Sequence, residues 1–195
     1  MLLFAYARER LTPVQILPAV LLLVIGAQLG RGWSTVATAA AAATDAAVDA
    51  VVATCLVAAF RAWDDVMDRA RDRARHPNRV LVRAASAVPV MSGALILGGI
   101  AFVILQRTHG AASVWMVLAI AGVLAAWYGT RGARSAAGDR ILLLKYAVFT
   151  LALVGWPAAL GARAVAAAAG VYLTACVYEW LHDADSPVFS IGGVQ

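Results

Sequence analysis

Eleven acidic side chains are spread through 195 residues, and most of them gather in two places. The first place reads Arg61-Ala62-Trp63-Asp64-Asp65-Val66-Met67-Asp68-Arg69-Ala70-Arg71-Asp72 and leads into His76-Pro77-Asn78-Arg79. On a helix Asp64, Asp68 and Asp72 recur every fourth residue, so their carboxylates share one face with Asp65 beside them. Like charges at that spacing repel, and near a membrane each also carries a desolvation cost. A divalent cation offsets both. Magnesium prefers oxygen donors, keeps several waters and bridges one or two carboxylates to phosphate oxygens. This helix end therefore suits a diphosphate held through metal, with Arg61 and Arg79 placed to neutralise the remaining phosphate charge. The plainer reading is a solvated helix extension carrying the pairs Asp65 with Arg69, Asp68 with Arg71 and Asp72 with Arg75. It accounts poorly for Asp64, which lies closest to the apolar segment.

The second place is Val177-Tyr178-Glu179-Trp180-Leu181-His182-Asp183-Ala184-Asp185, which puts Glu179 and Asp183 four residues apart on one helix face. Its plainer reading is a polar tail that solvates the last helix. His182 is expected to cap or solvate that helix end rather than to ligate magnesium.

The elements that must carry these residues are membrane helices. Of the chain, 63% is hydrophobic and 14% charged, against roughly 45–50% and about 25% in soluble domains. A spanning helix needs about 20 mostly apolar residues and satisfies its own backbone hydrogen bonds. The Ala, Leu and Val runs lack the alternation of a barrel strand. The expected fold is all-α, a single membrane domain over 1–195, with spans near 12–30, 46–68, 84–106, 112–130, 141–161 and 164–182. The first apolar stretch is read as retained rather than as a signal peptide. Ala37 to Ala43 form part of the first connection, as loop or partial helix. Gly110 breaks the chain after the third span, and Gly132 and Gly138 flank the fourth connection. Cys55 and Cys176 lie within apolar segments and are expected to be inert packing residues.

Lys and Arg concentrate in cytoplasmic loops. With the N-terminus inside, Arg8, Arg10, Arg61, Arg69, Arg71, Arg73, Arg75, Arg79, Arg83, Arg131, Arg134, Arg140 and Lys145 fall on the inner side. Only Arg31, Arg107 and Arg163 fall outside. Both termini are thus expected in the cytoplasm, and the net charge of +5 reflects topology and anionic lipid rather than nucleic-acid binding. The second and sixth spans both run from outside to inside, so the two acidic clusters end at the same membrane face.

The run Asp64-Asp65-Val66-Met67-Asp68-Arg69-Ala70-Arg71-Asp72, with Arg61 before it and Arg79-Val80-Leu81 after it, resembles the first signature of the UbiA superfamily of intramembrane prenyltransferases. That signature reads N-D-x-x-D-x-x-x-D with R-P-L downstream. Asp65, Asp68 and Asp72 match its aspartates, Asp64 stands in place of Asn, and Val80 in place of Pro. Glu179, Asp183 and Asp185 loosely match the family's second Asp-rich stretch, which sits on the sixth helix. Family members have about nine helices, whereas this sequence stops shortly after the sixth. Dimerisation or a partner would supply the missing wall, or the chain is a reduced, inactive relative.

The resemblance implies transfer of a prenyl group from a prenyl diphosphate to a small acceptor of unstated identity, aromatic or lipid-like. It places Asp64, Asp65, Asp68 and Asp72 at one magnesium site and Glu179 and Asp183 at the other, with Arg61, Arg79 and Lys145 on substrate. For Lys145 the equal alternative is a positive-inside anchor. Tyr128 and Arg131 are expected to be an interfacial aromatic anchor and a topology charge. Trp63, Tyr146, Trp156, Tyr172 and Tyr178 are available to shield a carbocation but serve equally as packing. Two competing classes remain: a membrane terpene cyclase needing no co-substrate, and a noncatalytic membrane protein handling cations or serving as a helper subunit.

Overall fold

A computed structural model of the protein describes residues 1–32, 39–130, 135–183 and 186–189. Among them the secondary structure is helical throughout, with no strand. A short helix α1 (Leu2–Arg10) leads into α2 (Pro13–Arg31), α3 (Ala39–Arg75) and a single turn α4 (Val80–Arg83). Then follow α5 (Val88–Thr108), α6 (Ala111–Thr130), α7 (Ala136–Val154), a 3-10 turn at Ala158–Leu160, and α8 (Ala162–His182).

Local chemistry accounts for several boundaries. Pro13 opens α2, where its missing N–H costs no helical bond, and the Thr12 N–H donates to Gln15 Oε1 at 3.4 Å. Ser135 caps α7 by accepting the Gly138 N–H at 3.1 Å. The α5 to α6 turn and the end of α7 are made by Gly110 and Gly155, at φ +82° and +83°, a region that favours glycine.

Each expected span corresponds to a long helix, but the lengths differ where polarity and helix propensity part company. The segment read as 46–68 is a helix of 37 residues, about 55 Å long at 1.5 Å per residue. Ala-rich sequence extends it at one end and Asp/Arg sequence at the other. Both favour helix although neither is apolar enough to register as membrane-embedded. The segment read as 141–161 begins at Ala136, so Gly138 lies inside α7 rather than beside it. Of the first connection, 33–38 lies outside the described residues, and Ala39 to Ala43 belong to α3. Neither α1 nor α4 is expected from the sequence, since at nine and four residues both are too short to show in hydropathy.

Five of the helices are long and apolar enough to cross a membrane: α2, α3, α5, α6 and α8. The sixth expected span, α7, is as long as α2 but carries Asp139, Arg140 and Lys145. It packs against α2, α6 and α8, and buries Asp139, Lys145 and Phe149 among other residues. A helix so surrounded keeps these charges off the outer surface of the bundle. Elsewhere Leu95, Ile96, Ile100 and Val103 of α5 and Leu173 of α8 are exposed, an apolar outer surface consistent with a helical membrane bundle.

Close approach of α2 to its neighbours rests on two glycines one turn apart. A Cβ at Gly26 would lie 2.5 Å from Val171 Cγ2, and one at Gly30 would lie 2.7 Å from Val154 Cγ2 and 3.3 Å from the Ala164 backbone. This is small-residue packing of the kind that membrane helices use. Beside it, Asp49 of α3 is wholly buried. It accepts from Arg31 and, at 3.3 Å, from Gln28, while His109 Nε2 stands 3.3 Å from its other oxygen. This polar staple ties α2, α3 and the end of α5 at the end of the bundle opposite the acidic clusters.

Candidate functional site

At the other end, where α2 begins and α3 and α8 finish, the bundle encloses a cavity of about 380 Å³. Its wall includes Asp64, Asp65, Asp68 and Asp72 from α3, together with Glu179 of α8 and Asp183, which follows it. The two acidic clusters, 115 residues apart at Asp64 and Glu179, thus face one space. Arg61, Arg79 and Lys145 line it as well. Its apolar side comes from Ala19, Val57, Leu142, Leu143 and the ring of Tyr146. The size falls within the roughly 300–1,000 Å³ usual for small-molecule sites.

The aspartates are already engaged. Asp64 accepts from Lys145 Nζ on one oxygen and from the Tyr128 hydroxyl on the other, which joins α3 to α7 and α6. Asp65 accepts from Arg10 Nε at 2.9 Å and Nη2 at 2.8 Å, and from the Tyr6 hydroxyl at 2.8 Å. Asp72 accepts from Arg79, and Asp68 from Arg71 at 3.3 Å. Of the three local pairs that a solvated helix would form, only Asp68 with Arg71 is present in this form. Arg69 donates instead to the Leu81 and Ala84 carbonyls and secures the chain after α4. Arg61 has its Nε buried without a hydrogen-bond partner among the described residues.

These pairings revise several expectations. Lys145 lines the cavity with its ammonium buried against Asp64, so it does not snorkel outward as an anchor would. Tyr128 is buried and bonded to the same carboxylate rather than serving as an interfacial anchor. Trp63 packs against Phe60 and Tyr128, and Tyr146 alone of the proposed aromatic shields lines the cavity. His182 bonds the Tyr178 carbonyl and stacks on its ring, as a helix-end residue would. Arg131, Arg134, Gly132 and Asp185 lie outside the described residues.

Comparison with family models, curated proteins and solved structures finds no match. The reading of this site therefore stands on its own geometry.

Sequence reasoning missed Tyr6, Arg10 and Asp139. In sequence Arg10 carries only the signal of a topology charge, and Asp139 follows a connection that hydropathy places outside the spans. Burial, with the Asp65 carboxylate next, raises the Tyr6 hydroxyl above the ordinary tyrosine range, so it stays protonated and donates. Burial alone would lower the Arg10 pKa, but its bond and charge contact with Asp65 outweigh that and raise it.

Among the described residues no three His, Cys, Asp or Glu side chains converge as a ready-made metal cage. Magnesium does not require one, since one or two carboxylates plus water and substrate oxygens complete its octahedron. The donor chemistry of the wall fits that mode.

Proposed function

We propose that the protein is a multi-pass membrane prenyltransferase, moving an isoprenyl group from a prenyl diphosphate to a small acceptor. The observation that carries this reading is the charge of the shared cavity. Six Arg and Lys side chains face seven Asp and Glu side chains around its wall. Such a wall is close to neutral, so a diphosphate entering alone brings uncompensated negative charge into a partly desolvated space. Divalent cations arriving with it remove that cost. Magnesium, when bound, would neutralise charge on the departing diphosphate, with Asp64, Asp68 and Asp72 available on one wall and Glu179 and Asp183 on the other.

The chain's own residues do the rest. Arg61, with an unpartnered buried Nε, offers a donor to a phosphate oxygen. Arg79 contributes a second guanidinium, shared with Asp72. The Tyr146 ring and the aliphatic side chains beside it give the first isoprene unit an apolar contact, and the ring face favours positive charge developing there. The concentration of arginine at this end supports a cytoplasmic orientation.

The test incubates detergent-purified full-length protein with prenyl diphosphates of several lengths and candidate acceptors, with and without magnesium, and identifies products by mass spectrometry. A product heavier than the acceptor by one prenyl group, formed only with magnesium, is expected. Asp68→Asn and Glu179→Gln should each suppress it. A cyclised product formed without acceptor would replace transfer by cyclisation. Failure of every diphosphate to be consumed would remove the enzymatic reading.

A further inference from the structure

Asp65 accepts three hydrogen bonds, and what holds it comes from α1 rather than from the long helices. Its two oxygens take three donors, all from α1. Tyr6 is 1% exposed and sits in a small apolar cluster with Ala62, Leu81, Val90 and Ala94. Glu9, next to Arg10, accepts the Val80 N–H at 2.8 Å and fixes α1 to the start of α4. The end of α1 is thus pinned at three points.

Arg10 engages Asp65 through Nε and Nη2, a side-on arrangement that immobilises the plane of the guanidinium. Nη1 is left without a hydrogen-bond partner among the described residues. Arg10 lines the cavity together with Arg61 and Arg79, and its side chain is 21% exposed. A planar cation held on one edge and open on the other, in the wall of the cavity, is pre-organised to bind phosphate oxygens.

We infer that Arg10 is a diphosphate-binding residue contributed by α1, and that Asp65 and Tyr6 are its positioning residues. The inference rests on the diphosphate reading of the cavity. It gives Asp65 a role distinct from that of Asp68: Asp65 acts on the substrate through Arg10.

The experiment titrates inorganic diphosphate, with and without magnesium, into detergent-purified full-length protein by calorimetry. Arg10→Ala should weaken binding about tenfold or more, the scale of a lost hydrogen bond to a charged group, and should make the affinity less sensitive to added salt. Asp65→Asn should weaken binding in both conditions. The double variant should bind no worse than the weaker single variant, because Asp65 works through Arg10. Tyr6→Phe keeps the packing of α1 and should give a smaller loss in the same direction. It serves where Arg10→Ala does not fold.

Effects of Arg10→Ala and Asp65→Asn that multiply, with the Asp65→Asn loss confined to magnesium, would make Asp65 an independent metal ligand and overturn the inference. Full affinity and an unchanged salt response in Arg10→Ala, or full affinity in Tyr6→Phe where Arg10→Ala does not fold, would also overturn it while leaving the diphosphate reading intact. If the unaltered protein binds no diphosphate, that reading and the inference fall together.

Discussion

Lys145 and Asp64 show how a single charge is accommodated in this wall. The resemblance puts Asn at position 64, and the carboxylate found there is balanced by an ammonium 81 residues away, with the Tyr128 hydroxyl on its second oxygen. The side chains of Lys145 and Asp64 are 7% and 24% exposed, so removing the cation alone strands a largely desolvated carboxylate. Lys145→Met should therefore cost about 2 kcal/mol, read as a lower thermal midpoint in detergent. Asp64→Asn added to it should restore at least half of the loss, since the double variant no longer holds a lone charge. No recovery would mean that Lys145 stabilises the protein by packing rather than by pairing. The aspartates were legible because fourfold spacing within one helix can be counted along the chain. Their partners were not, because Arg10, Tyr128 and Lys145 lie far away in sequence and only folding brings them near.

The six long helices were legible as elements because each carries an apolar run, although α7 falls short of the apolarity that the other five reach. The short helices were not. Hydropathy has no signal for α1 or α4, and it cuts α3 at the points where Asp, Arg and Ala replace larger apolar residues. It also gives no hint of which helices touch. Gly26 and Gly30 carry that information, since α8 and α7 sit where a side chain would otherwise be. Gly30→Val should destabilise the bundle by about 1–3 kcal/mol through overpacking. Gly98→Val should have little effect, because nothing lies within 4 Å of a Cβ there. Equal behaviour of the two variants in detergent unfolding would show that α2 does not pack against α7 and α8 at this point.

Across the whole molecule the polar side chains divide between the two ends of the bundle. At the α3 C-terminal end they line a cavity that faces outward and retains exposed charge, as at Asp68, whose side chain is 30% exposed. At the opposite end Asp49 is closed off from solvent, with Arg31, Gln28 and His109 around it. Asp49 had no place among the candidate site residues because a lone Asp inside an Ala-rich segment carries no spacing signal. Asp49→Asn removes the counter-charge of Arg31, whose side chain is 19% exposed, and should cost about 3 kcal/mol. The loss should appear as a lower unfolding midpoint in detergent. Diphosphate affinity of the folded fraction should stay unchanged, because no residue of the staple lines the cavity. Two ends that answer separately to mutation fit a bundle in which the buried staple and the charged cavity act independently. Weakened diphosphate binding in Asp49→Asn would instead show that the ends are coupled. Residues at both ends of α2, α3 and α7 would then have to be counted as part of one site.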